Sequence, residues 1–252
     1  MHIEQREGPQ AGADNPVLEI RAVVKRFGAR TALDGLNLTL RAGEVFALLG
    51  PNGAGKTTTI NLILGFLKPD AGAVQVCGIE AGSDPVGARG HVAYIPEQVA
   101  RYPGLSGTEN LRYFATLAGL DLSVDASRRL LTEAGLPEEA HGRPAASYSK
   151  GMRQKVWIAV ALARRARLLL LDEPTSGLDP SAAADFSVTV RRAAERDTAV
   201  LMATHDLYRV REMADRVGVL SRGRIVEEVD PKTLDHVALE RLYIERLAEI
   251  AA

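Results

Sequence analysis

Gly50-Pro51-Asn52-Gly53-Ala54-Gly55-Lys56-Thr57 lies between the apolar run Val45-Phe46-Ala47-Leu48-Leu49 and the stretch Thr59-Ile60-Asn61-Leu62-Ile63-Leu64. The first run reads as a buried strand and the second as a continuing helix. The octet is thus G-x-x-x-x-G-K-[ST] in the strand–loop–helix setting that gives the pattern its chemical meaning. Glycines at 50, 53 and 55 let the backbone fold tightly enough for successive N–H groups to face phosphate oxygens, helped by the positive end of the following helix. Lys56 supplies a mobile cation for the β and γ phosphates. The Thr57 hydroxyl is suited to ligate Mg²⁺, and Thr58 lies close enough to reach another phosphate oxygen. The reading is a nucleoside triphosphate site on an α/β core.

A second apolar run, Leu168-Leu169-Leu170-Leu171, has the continuous hydrophobicity of a central strand in a parallel sheet and ends in Asp172-Glu173-Pro174. Open α/β sheets bind ligands at the carboxyl ends of their strands, which puts this acid pair on the same rim as the loop. Asp172 is the candidate for the Mg²⁺ shell, and Glu173 for the base that orients or deprotonates water in line with the γ phosphate. His205 follows a third apolar run, Ala199 to Ala203, and is expected on that rim in polar contact with the γ phosphate. His2, His91, His141 and His236 have no such setting and read as structural or surface residues.

Composition narrows the classes. The 252 residues carry 31 basic and 32 acidic side chains, a formal charge of −1 that offers no basic field for nucleic acid. The single cysteine, Cys77, excludes an internal disulfide and any cysteine–histidine zinc cluster. It is expected to be a small buried apolar residue at the end of a strand over 73–77. No apolar run approaches the roughly 20 residues needed to span a bilayer. The polar start lacks the apolar segment of a secretion signal, and residues 1–16 read as a flexible leader.

Elsewhere, short strands are expected at 17–20 and 32–40, giving a β-rich layer before the loop. A Gly/Pro/Asp-rich stretch over 78–90 reads as loop, and Tyr94-Ile95 as strand. Ser106-Gly107-Thr108-Glu109 has the spelling of a capping box and opens a helical insert, with helices from there and over 124–134 and 149–163. The βα alternation then resumes with helices about 181–195 and 206–215 and strands 199–203 and 217–220. A turn at Arg222-Gly223 leads to a strand over 224–229, and a last amphipathic helix carries Leu239, Leu242, Tyr243, Leu247 and Ile250.

Tyr148-Ser149-Lys150-Gly151-Met152-Arg153-Gln154, just upstream of the leucine strand, resembles the signature motif of ATP-binding cassette (ABC) ATPases. In matching order, Ser176-Gly177-Leu178-Asp179 resembles that family's D-loop and His205 its switch histidine. The resemblance covers roughly residues 17–229. It implies a P-loop NTPase (RecA-like) core with an antiparallel β subdomain and a helical insert, about 98–163, and leaves 230–252 as a C-terminal helical extension. It also implies ATP and Mg²⁺ as cofactors and a homodimer in which Ser149, Lys150, Gly151 and Met152 act on the partner copy's ATP, with Asp179 in the D-loop. Phe27, in the turn Lys25-Arg26-Phe27-Gly28, stands where the family stacks an aromatic ring on adenine, the alternative being core packing. Pro96-Glu97-Gln98 departs from the usual Q-loop spelling, so Glu97 or Gln98 serves the Mg²⁺ and water, with Glu97 favoured by register. Lys150 and Met152 likewise replace the commoner glycine and glutamine.

The Tyr-Ser-Lys-Gly-Met spelling and the Pro-Glu pair are similar to the branch serving ABC-2-type exporters. Within it, Tyr94 to Leu120 is similar to the ATPases of nitrous oxide reductase maturation. The resemblance implies ATP hydrolysis coupled to export through an integral membrane permease subunit, with this chain peripheral on the cytoplasmic face of the inner membrane. The alternative is a soluble cassette ATPase of a cytosolic assembly complex, such as iron–sulfur cluster formation.

Overall fold

The computed structural model describes residues 15–98 and 101–249. His2, most of the leader expected over 1–16, and Ile250 lie outside the described residues. Two sheets organise the rest. The larger has the order β10-β9-β3-β8-β7-β6, formed by Arg224–Val229, Arg216–Ser221, Val45–Leu49, Ala199–Thr204, Leu168–Asp172 and Val92–Ile95. Its pairs are parallel from β9 through β6, and only β10 runs antiparallel. The smaller is antiparallel, in the order β2-β1-β4-β5, from Arg30–Leu40, Leu18–Phe27, Ala71–Val76 and Ile79–Glu80.

The uninterrupted apolar runs are explained by burial on both faces of the large sheet, because successive side chains on a strand point to opposite sides. Val45, Ala47, Leu49, Leu169, Leu171, Val200 and Met202 join the core that includes Leu111, Ile158, Phe186 and Val210 from the helices. Phe46, Leu48, Leu168, Leu170 and Leu201 join the opposite core, with Leu18, Ile20, Leu33 and Leu36 of the small sheet and Ile60 and Ile63 of α1 (Lys56–Ile63). This double burial holds the strand ends, and hence the loops that follow them, in fixed register.

The helices after β6 are α3 (Gly107–Leu117), α4 (Val124–Glu133) and α5 (Lys150–Ala163), followed after β7 by α6 (Pro180–Ala194), after β8 by α7 (Leu207–Met213), and at the end by α8 (His236–Glu249). Ser106 caps α3 by accepting from the Glu109 N–H, while Glu109 Oε2 accepts from the Ser106 N–H at 2.7 Å, completing the box read from sequence.

Three local readings are corrected. The stretch 78–90 is not all loop: it holds β5 and a short helix over Pro85–Gly90, α2 in chain order, started by Asp84 as N-cap with Pro85 at its first position. Cys77 does not end a strand as a buried residue. It is half-buried and forms, with Gly78, the two-residue turn of the β4–β5 hairpin, where both residues have positive φ (50° and 78°); hairpins favour such turns because their twist matches the strands. Lys25, Arg26 and Phe27 are not a turn but the end of β1, which continues past a bulge at Ala22, and the chain reverses only at Gly28. Arg222 and Gly223 form the expected turn between β9 and β10.

Candidate active site

The carboxyl ends of β3, β7 and β6 lead into one cleft of about 380 Å³. Pro51, Asn52, Gly53, Gly55, Lys56, Thr57 and Thr58 line it from the loop, and Phe27, Glu97, Asp172 and Glu173 from its other walls. Gly53 and Gly55 have φ of 82° and 119°, in the region L side chains avoid. A Cβ at Gly50 would stand 2.5 Å from the Leu220 carbonyl oxygen, so that glycine is demanded by packing of the loop against β9. Ala54 is buried, and its N–H donates back to the Pro51 carbonyl.

Lys56 is 7% exposed, and its ammonium donates to the Gly50 carbonyl inside the loop and faces Glu173 Oε1 at 3.5 Å. Glu173 is held from four directions. Its N–H donates to the Ala203 carbonyl, Lys56 stands at one oxygen, and the Thr204 hydroxyl (3.2 Å) and His205 Nδ1 (2.9 Å) stand at the other. Its φ of 45° is a left-handed backbone without glycine, strain of roughly 1–3 kcal/mol that persists only where the surroundings enforce it. This turn gives the adjacent carboxylates different partners, because Asp172 Oδ2 instead accepts from the Tyr94 hydroxyl at 3.5 Å.

The electrostatics follow from that crowding. Burial, and then the neighbouring charge of Glu173, raise the Asp172 carboxyl above its ordinary value. Tyr94 is pushed up to about 12, by burial first and by Asp172 second, so it remains a neutral donor. Carboxylates crowded at a cleft wall suit a cation. Thr57 and Asp172 offer the hard oxygen donors Mg²⁺ prefers, and no cluster of three or more His, Cys, Asp or Glu among the described residues could cage a metal alone. Such a set fits an ion that completes its shell with phosphate oxygens and water.

Glu97 lines the cleft and accepts from the Ser176 hydroxyl at 3.2 Å, whereas Gln98 is exposed and does not line it. Phe27 is 48% exposed at the mouth, which rules out core packing as its role. His141 is buried with its Nε2 against the Leu136 carbonyl, the structural role expected of it. Ser149 caps α5 through the Met152 N–H at 3.3 Å, and neither it nor Lys150, Gly151 or Met152 lines the cleft. Asp179 caps α6, accepting from the Ala182 N–H. Sequence reasoning passed over Arg30, whose guanidinium donates to the Gly53 carbonyl at 3.2 Å, and Tyr94 and Thr204, the hydroxyls that grip the acid pair. A hydroxyl ending a buried strand beside the acid rim was the available signal for Thr204.

Comparison with known families places this geometry. The profile described as ABC transporter matches residues 33–176, from β2 through the acid pair. The chain belongs to the ABC transporter family. It is an ATP-binding cassette with the P-loop NTPase fold and ATPase activity coupled to transport. It is similar to an uncharacterized ABC transporter ATP-binding protein, YdbJ, of Bacillus subtilis (strain 168), at 38% identity over 231 residues, covering 91% of this chain and 74% of that one. To the Nod factor export ATP-binding protein I of Ralstonia nicotianae it is 35% identical over 236 residues, covering 93% and 73%. Among solved structures, a cassette captured as a dimer in a post-hydrolysis state with ADP and phosphate superposes with a TM-score of 0.73 at 25% identity, covering 85% of this cassette and 98% of that chain. No helix among the described residues is long and apolar enough to cross a membrane.

Proposed function

We propose that this cassette powers an exporter: two copies close on two Mg-ATP molecules, and hydrolysis drives a separate integral membrane permease to which the cassette is peripherally bound on the cytoplasmic face of the inner membrane. The observation that carries this reading is the split of the chemistry within one chain. Lys56, Asp172 and Glu173 line the cleft, with His205 against the Glu173 carboxylate, while the anion-ready start of α5, with Ser149 and Gly151, stands outside it. A helix N-terminus offers N–H groups and positive potential to an anion, so the second copy's ATP is its natural partner. When bound, Mg²⁺ would be held by Thr57 and Asp172 with Glu97 nearby, and would neutralise phosphate charge. Glu173 takes the role of base, His205 holds its carboxylate, Lys56 meets the phosphates, and Phe27 stacks on adenine.

Export as the direction is supported by the Tyr148 to Met152 spelling and by the similarity to a Nod factor export protein. In its narrowest form the reading assigns the exporter to maturation of the copper site of nitrous oxide reductase. Two measurements test it. Glu173→Gln protein is expected to dimerise with Mg-ATP, and tagged wild-type protein to bring down an integral membrane subunit from mildly solubilised membranes. A monomer at saturating Mg-ATP even with that subunit present would refute the dimer. Purification with no membrane partner would refute the transporter assignment, and copper-loaded nitrous oxide reductase in a deletion strain would refute the narrow cargo.

A further inference from the structure

The last three residues of β1, Lys25-Arg26-Phe27, still pair with β2, through Leu33, Thr31 and Arg30, but the pairing with β4 stops at Val24 and Ala71. Where β4 would continue, the side chain of Asp70 takes the place of a strand. The Asp70 N–H donates to the Val24 carbonyl at 2.8 Å. Residues two apart on a strand turn their backbone groups to the same edge, so the next N–H on that edge is that of Arg26. Asp70 Oδ2 accepts it at 2.5 Å. Asp70 Oδ1 accepts from the Lys25 ammonium at 3.1 Å, and the Lys68 carbonyl accepts from the same ammonium at 2.9 Å. The Arg26 N–H first, and Lys25 second, hold the Asp70 carboxyl below its ordinary value. Lys25 and Phe27 share one face of the strand, and the ammonium lies over the Phe27 ring, 5.6 Å from its centre.

We propose that Asp70 and Lys25 are positioning residues for the base of the nucleotide, acting through Phe27: Asp70 keeps the end of β1 extended, and Lys25 covers one face of the ring and leaves the other to the base. This rests on the adenine stack assigned to Phe27 above. A half-exposed ring has little packing of its own, so the backbone beneath it and the ammonium beside it are what fix its plane. Without the Asp70 carboxylate the end of an edge strand frays, and each ATP bound must then order the ring before stacking on it. The cation is held by the negative face of the ring and narrows its rotation. Neither Lys25 nor Asp70 lines the cleft, so their effect is confined to the base and does not extend to the phosphates.

The test compares Asp70→Ala, Asp70→Asn, Lys25→Met, Lys25→Arg and Phe27→Ala in the full chain, with two probes: Mg-ATP, and Mg-tripolyphosphate, which has no base. Asp70→Ala is expected to weaken ATP binding by about fivefold or more, within the loss caused by removing the ring itself, and Lys25→Met by about 2- to 5-fold. Asp70→Asn, which still offers an oxygen to the Arg26 N–H, and Lys25→Arg, which keeps the cation, are expected to recover most of the affinity. Tripolyphosphate binding should match wild type throughout. KM for ATP should rise while kcat stays within about twofold, because a contact to the base is the same in the ground and transition states. In a Phe27→Ala background, Asp70→Ala should add nothing, since both act on one contact. Tripolyphosphate weakened as much as ATP, or a full further loss in the Phe27→Ala background, would overturn the proposal. So would wild-type ATP affinity in both Asp70→Ala and Lys25→Met while Phe27→Ala binds weakly, which would leave the stack itself standing. Wild-type ATP affinity in Phe27→Ala would overturn both.

Discussion

Glu173 Oε2 lies 2.9 Å from His205 Nδ1, while the other oxygen of the same carboxylate faces Lys56 at 3.5 Å. In the proposed role of base, Glu173 is held by a histidine on one side and by the phosphate-loop lysine on the other, and so acts with both as a unit. Groups acting as a unit show non-additive losses on mutation. Glu173→Gln and His205→Ala are each expected to lower turnover by roughly 10²–10⁴-fold, the range for a positioned general base. The double variant should be no slower than the slower single. Single-turnover phosphate release checks this, and losses that multiply would show that the two side chains act independently.

Phe27 tests the proposed stacking of adenine at the cleft. Its ring is half-exposed at the end of β1, with the Lys25 ammonium 5.6 Å from its centre. Base–aromatic stacking contributes about 1–3 kcal/mol, so Phe27→Ala should weaken ATP binding by about 5- to 150-fold. Little packing is lost with an exposed ring, so the melting temperature of the nucleotide-free protein should hold. Titration with a fluorescent ATP analogue and a thermal scan separate the two effects; a large drop in melting temperature would make Phe27 a structural residue.

Why these parts were readable and others were not comes down to the range of the interactions. The phosphate loop and the strands β3, β7 and β8 announce themselves locally, because a strand buried on both faces must be apolar throughout, as Val45–Leu49 and Leu168–Leu171 are. Strand order does not: β3 lies between β8 and β9, pairings more than 150 residues apart in the chain, and nothing local to Val45 encodes its neighbours. The same holds in the site. Asp172-Glu173 is legible as a pair, but the left-handed backbone of Glu173 and the grip of Thr204 arise only when β7 and β8 lie side by side. The short helix over Pro85–Gly90 was hidden by its two glycines, although Asp84-Pro85 spells its start.

Asp215 gives the fold a pH dependence whose sign can be stated. Its carboxylate accepts from the Val45 N–H at the root of the phosphate strand, from Arg191 of α6 at 2.7 Å and from Lys232 at 2.8 Å. Burial alone would raise this carboxyl, but the Lys232, Val45 and Arg191 hydrogen bonds outweigh it and the native value lies below the ordinary 3.8. A depressed native value means that the unfolded chain binds the proton first, so the stabilisation is present above about pH 4 and lost as pH falls through the native value. Asp215→Asn should therefore cost about 1–3 kcal/mol near neutrality, the usual cost of leaving partly buried partners unsatisfied. The gap to wild type should close below pH 3.8. Urea melts across that range check it, and a gap that widens on acidification would reverse the sign.

Gly55 is where the phosphate loop and the small sheet compete for the same space. Its φ is 119°, and a Cβ there would meet Leu33 Cδ2 at 2.7 Å and the Ala32 carbonyl oxygen at 2.8 Å, both from β2. The leucine end can shift, but the carbonyl is backbone within a paired strand. Gly55→Ala thus adds backbone strain of about 1–3 kcal/mol to a steric push on β2. The chain can relieve both only by opening the loop, which turns its N–H groups away from the phosphates. The expected outcome is loss of measurable ATP binding together with a lower melting temperature. Gly78→Ala, also at positive φ but with open space around it, is expected to lower the melting temperature and leave ATP binding intact. Equal ATP affinity in both variants would show that the approach of β2 does not shape the loop.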